Sequence, residues 1–167
     1  MRGIAANGYL VVVPEMPINM AAFNPGVASE IMAHYPRIDH WVIGGHSVGG
    51  AVAARYAANH GDAIDGLVIW ASYPPNSADL SSLDIPVVSM YGSREERVND
   101  ASVGARKHLL PPDARYVRIE GGDHHQFGSY RIDPDDHRAT ISRESQQEQI
   151  IAETLPVLEA VSDAAAE

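Results

Sequence analysis

Cysteine is absent from the 167 residues, which excludes a thiolate nucleophile, a disulfide framework and any cysteine-ligated zinc or iron centre. Positive charge is scarce: 12 Lys and Arg stand against 22 Asp and Glu, a formal net charge of -10. Most of such a surface repels a phosphate backbone, so nucleic acid is not an expected partner. Long apolar runs are missing as well. The longest, Tyr9 to Pro14, falls far short of the roughly 20 residues that cross a bilayer, and no small-residue cleavage site follows it. Membrane association and a signal peptide are therefore not expected, and the default location is cytoplasmic.

What is present reads as globular material. Hydrophobic residues make up 45% and charged residues 20%, and a chain of this length suits one domain, 1–167, with a substantial core. Residues 163–167 are expected to fray. Five short apolar runs punctuate the chain: Tyr9 to Val13, His40 to Gly44, Ile64 to Ala71, Pro86 to Tyr91 and Arg115 to Ile119. Four are nearly continuous in β-branched or aromatic residues, as strands buried on both faces are. Helical stretches alternate with them. Asn24-Pro25 starts one that reaches His34, a second runs from Ser47 to Gly61, and a third spans Asp100 to Leu110. The last runs from Ser142 to Val161, with Ile150, Ile151, Leu155 and Leu158 on one face and a kink at Pro156. The expectation is an α/β fold with a mostly parallel sheet of about five strands flanked by helices.

Trp41 to Gly50 reads WVIGGHSVGG, a strand that leaves through glycines around one serine. Gly45-His46-Ser47-Val48-Gly49 fits GxSxG between a buried strand and an alanine-rich helix, where small residues let a strained strand-to-helix turn lift Ser47 Oγ clear of the sheet. The Val48 N–H, at a helix N-terminus, can then face a developing oxyanion. A phosphate loop fits worse, because His46 or Ser47 replaces the second glycine of GxGxxG and no lysine follows.

A serine hydroxyl needs a general base oriented by an acid. Of eight histidines, only His124 and His125 lie in a glycine-led loop after the last strand run, and His124 is preferred. His34, His60 and His108 fall near helix ends, His40 begins a strand, and His137 lies in an acidic loop. The acid is expected at Glu95, three residues beyond Gly92, ahead of Glu96 and then of Asp84, Asp100 and Asp123. Asp133, Asp135, Asp136 and His137 lack the spacing and distal glutamate of a calcium loop, so no metal is expected there.

Through GYLVVVPEMP, WVIGGHSVGGAVAARYA, PVVSMYGSREERV, EGGDHHQFGSY and ATISRESQQEQ the chain resembles the α/β-hydrolase superfamily. The branch is that of small bacterial carboxylesterase-like and dienelactone-hydrolase-like proteins. The resemblance implies Ser47 as nucleophile, His124 as base and Glu95 where the family usually has aspartate. It implies hydrolysis of short acyl esters without cofactor, with thioester cleavage or a non-catalytic binding module as alternatives. The short connection 73–84, where such folds usually insert a lid, suggests an open, lidless site. Met16, Pro17, Trp70, Tyr73 and Phe127, with His46 at the rim, are candidates for the substrate pocket. The family also carries an earlier strand whose PGG or HGG loop gives a second oxyanion donor, and this sequence does not contain it. Tyr9–Val13 would then pair directly with the next strand, or another subunit would fill the gap, which makes a homo-oligomer the expectation; a sequence that starts downstream of that strand explains the gap equally well.

Overall fold

The computed structural model describes residues 1–129 and 138–166. Four parallel strands form one sheet in the order β1 (Val42–His46), β2 (Gly66–Trp70), β3 (Val87–Gly92) and β4 (Arg115–Ile119). The α-helices among the described residues are α1 (Arg2–Ala5), α2 (Val27–His34), α3 (Val48–Asn59), α4 (Asp100–Gly104) and α5 (Arg143–Ala164). Helix α3 connects β1 to β2 and packs on one face of the sheet, while α5 lies across the other.

Alternation along the strands assigns each side chain to a layer. Leu67 and Ile69 on β2 are fully buried toward α3, against Ala53, Ala54 and Ala57. Val68 between them faces α5 with Val88, Met90, Ile150 and Val157. Each large aliphatic chain buried this way contributes about 1.5–3 kcal/mol relative to exposure. The alanine face of α3 lets that helix lie close to the sheet.

Several elements depart from the sequence expectation. Tyr9–Val13 is not a strand and does not pair with β1, so the sheet has four strands rather than about five. Leu10 and Val13 are exposed. An extended apolar segment joins a sheet only where a neighbour offers ladder partners, and no described strand lies beside it. Helix α2 begins after Gly26 rather than at Asn24-Pro25. Helix α4 starts after Asn99, whose side chain accepts from the Ala101 and Ser102 N–H groups, and stops at Gly104; a separate single turn, Lys107–Leu109, follows. Helix α5 starts as expected, with Ser142 Oγ accepting from the Ser145 N–H, but continues to Ala164, into the stretch read as frayed. Its buried face is Gln146, Ile150, Thr154, Val157 and Val161 rather than the Ile151, Leu155 and Leu158 side. Pro156 lies inside this helix on its exposed side.

The parallel arrangement sends every strand's C-terminal end to one edge. Open α/β sheets bind ligands at that edge, and the loops after β1, β3 and β4 carry Ser47, Glu95 and His124.

Candidate active site

Ser47 is the single residue between β1 and α3, with φ 54° and ψ −123°. A residue with a side chain holds such a conformation at a cost of about 1–3 kcal/mol. Its neighbours supply that energy. The Ser47 N–H donates to Trp70 O at 2.9 Å, and the Ser47 carbonyl accepts from the Gly50 N–H at 3.0 Å. Position 45 must be glycine, since a Cβ there would stand 2.3 Å from the carbonyl carbon of Gly49. Strand thus becomes helix within one residue. Val48 is the first residue of α3 and 47% exposed, and its N–H belongs to the unpaired donors of the helix start.

Glu95 lies in the loop after β3 with its side chain 1% exposed. Its Oε1 accepts from the Gly92 N–H at 2.8 Å, and its Oε2 stands 3.1 Å from His124 Nδ1. A carboxylate only accepts, so Nδ1 carries the proton and a neutral imidazole keeps its lone pair on Nε2. That tautomer is the one a general base requires. The His124 side chain is 33% exposed, open enough to meet a substrate. The acid and base loops interlock: the Arg94 N–H donates to Gly122 O and the Ser93 N–H to Ile119 O, both at 2.9 Å, and Ser93 Oγ accepts from the Gly121 N–H at 2.8 Å.

His46 joins the Ser47 turn to the His124 loop. Its ring lies 4.5 Å from that of His124 and stacks on Phe127 at 5.9 Å, 10° from parallel. His46 Nε2–H donates to the His124 carbonyl at 3.0 Å. Burial, then the charge that His124 can carry, pushes the His46 pKa down to about 4. It is therefore neutral near pH 7 and does not oppose a positive charge arising on His124. The Ser47 hydroxyl makes no hydrogen bond among the described residues.

The other residues singled out in the sequence are dispersed. His125 stands edge-on to His124 at 5.8 Å. Glu96 is exposed and paired with Arg138. Asp84 is exposed ahead of β3, at the opposite edge of the sheet, and Asp100 accepts from the Tyr91 hydroxyl. Asp123 is 2% exposed, and its carboxylate accepts from the Gln126, Arg138 and Ala139 N–H groups. Phe127 is a core residue, 5% exposed, and Trp70 packs in the same α5-side cluster. Tyr73 packs against Tyr91, Val98 and Val103, with the Arg106 guanidinium 5.2 Å above its ring. Met16 and Pro17 stand at the single turn Pro17–Asn19. No ring contact or hydrogen bond joins Met16, Pro17 or Tyr73 to Ser47 or His124 among the described residues. Asp133, Asp135, Asp136 and His137 lie outside the described residues. Among the described ones, no group of three or more His, Asp or Glu is arranged to hold a metal ion, and no helix is long and apolar enough to cross a membrane.

Sequence reasoning missed Gln146, which is fully buried and bonded to the backbone of Asp123. The available signal was its position one turn before Ile150, a polar residue in line with an apolar stripe.

No curated protein matches this chain. Solved structures do. An alpha-beta serine hydrolase homologue from Coxiella burnetii superposes with a TM-score of 0.57 at 16% identity, covering 78% of this chain and 57% of that one. A predicted CIB-like hydrolase from Thermoplasma acidophilum gives 0.51 at 21% identity, covering 62% and 52%. The esterase RhEst1 from Rhodococcus sp. ECU1013 gives 0.55 at 16% identity, covering 90% and 76%. The chain thus spans little more than half the length of the first two. At these identities the likeness establishes the fold. The model of the alpha/beta hydrolase family matches residues 1–148, and with four parallel strands between helices and a strained serine turn after β1, this chain belongs to that family.

Proposed function

We propose that this chain is a serine hydrolase that cleaves short-chain carboxylic esters through an acyl-enzyme, with Ser47, His124 and Glu95 as nucleophile, base and acid. The observation that carries the reading is the 3.1 Å pair between His124 Nδ1 and the buried Glu95 carboxylate, at the same sheet edge as the strained Ser47 turn. In the proposed sequence, His124 Nε2 takes the Ser47 proton as Ser47 Oγ bonds to the ester carbonyl carbon. The Val48 N–H stabilises the resulting oxyanion. Collapse breaks the bond to the alkoxy oxygen, which leaves as the alcohol with the proton from His124. Water then attacks the acyl-enzyme, giving its proton to His124, and the carboxylic acid departs as Ser47 regains a proton. No cofactor takes part.

Short, soluble acyl groups fit the connection 73–84, which turns into the core with Ala78 and Leu80 fully buried. The Rhodococcus neighbour is itself named an esterase. Thioester cleavage uses the same steps, and assays with p-nitrophenyl acetate and an acyl-CoA separate the two. A second reading, a hydrolase fold acting as a binding module, draws on the Ser47 hydroxyl lacking a bond to His124; such bonds are often long before substrate arrives. Fluorophosphonate labelling decides between them. The hydrolase reading expects one covalent adduct, absent in Ser47→Ala, whereas a folded chain that takes up no label is a binding module.

A further inference from the structure

We propose that Gln146, in the first turn of α5, is a positioning residue for His124, gripping the backbone immediately before it through both ends of its side-chain amide. The inference rests on the reading of His124 as the base. Gln146 is 0% exposed. Its Oε1 accepts from the Asp123 N–H at 3.0 Å, and its Nε2 donates to the Asp123 carbonyl at 2.8 Å. One side chain thus pairs with a peptide residue as a neighbouring strand would. A buried amide left without partners is costly, and here the partners belong to the residue before the base.

The surroundings are fitted to the grip. A Cβ at Gly122 would stand 2.8 Å from Gln146 Oε1 and 3.0 Å from its Cδ, so a side chain there would push the amide aside. The Asp123 carboxylate caps the turn that follows, accepting from the Gln126 N–H at 3.0 Å. His124 is then held at three points in all: through residue 123 to α5, through its carbonyl to His46 and through Nδ1 to Glu95. Helix α5 is a suitable anchor because it runs 22 residues and packs across all four strands. Catalytic groups need placement within about 0.5 Å, and an error of about 1 Å can cost on the order of a hundredfold. A glutamine that only stabilised the fold would leave the imidazole unchanged when replaced.

The test reads the imidazole directly. In protein labelled with nitrogen-15 histidine, long-range proton–nitrogen spectra at about pH 8.5, where an ordinary histidine is neutral, report the tautomer of His124. The intact chain is expected to show the Nδ1–H form. Gln146→Met, which keeps the length and removes both hydrogen bonds, is expected to admit a substantial Nε2–H population. Its kcat on p-nitrophenyl acetate should fall roughly ten- to a hundredfold with KM little changed. Thr154→Val removes a buried hydrogen bond of the same helix, Thr154 Oγ1 to Ile150 O, and is expected to lower stability without altering the tautomer. Should Gln146→Met not fold, Gln146→Glu at the same pH retains the acceptor for Asp123 N–H, loses the donor and is expected to give the same mixture. A folded Met or Glu variant in which His124 stays in the Nδ1–H form overturns the proposal. Lack of esterase activity in the unaltered chain would refute the hydrolase reading instead, with the tautomer still reporting on the grip.

Discussion

The Nδ1 atom of His124 lies 3.1 Å from Oε2 of Glu95, 29 residues earlier in the chain, and the other carboxylate oxygen is held by the Gly92 N–H at 2.8 Å. The acid is therefore fixed by its own loop before it meets the imidazole. Its length suits this arrangement: glutamate reaches back to the end of β3 and outward to His124 at once.

Replacing Glu95 by Gln keeps shape and burial but turns one end into a donor, which faces the Nδ1–H and favours the other tautomer. On the proposed mechanism kcat on p-nitrophenyl acetate falls on the order of a hundred- to ten-thousandfold, with KM within a few fold. Steady-state kinetics check this, and an unchanged kcat would remove Glu95 from the acid's role.

Gly45→Ala places a methyl carbon against backbone atoms of Gly49 and Gly50, at 2.3 to 2.7 Å. Backbone at a helix start cannot step aside as a side-chain tip can. The variant is expected to lose roughly 1–3 kcal/mol of stability and to stop reacting with fluorophosphonate. Thermal unfolding and labelling measure the two effects; a stable, fully reactive variant would contradict the geometry of the turn.

His46 binds a proton less readily in the folded chain than in the unfolded one, with its pKa at about 4 instead of 6.5. As pH falls, the unfolded state takes up the proton first. The stability due to neutral His46 is thus complete above about pH 6.5 and is lost progressively toward about pH 4, amounting to on the order of 3 kcal/mol. His46→Gln does not titrate and can keep an N–H donor toward His124 O. Urea unfolding from pH 7.5 to 4.5 should show a shallower decline for this variant, and parallel declines would argue against a depressed pKa.

Leu10, Val13, Ile18, Met20 and Phe23 are exposed within one stretch, and β1 is an edge strand. Exposed apolar surface and an unpaired strand edge each favour self-association. Sedimentation velocity is expected to show mass rising with concentration, and a constant monomer mass up to about 100 μM, well past the micromolar range of specific association, would exclude it. Lys substitutions at Leu10 and Val13 should weaken the association.

Local sequence was enough for what local forces decide. The runs that become β2 and β3 are dense in apolar residues and are buried on both faces, and Ser142 announces the start of α5 because a hydroxyl there meets a free N–H. The glycines around Ser47 mark a tight turn, since a side chain at Gly45 has nowhere to go. Composition could not say whether Tyr9–Val13 has a neighbour to bond with, and in the structure it has no ladder. Nor could periodicity choose the face of α5. Ile150 lies on both readings, but the sheet selects the side that includes Gln146 and Thr154, whose polar atoms find partners once buried. The sequence ranks Glu95 ahead of Glu96 by its offset from Gly92, but both are adjacent residues of one charged run. Only the packing of the loops after β3 and β4 turns the first inward to His124 and leaves the second outside with Arg138, because distances between residues far apart in the chain are set by how strands register and helices pack.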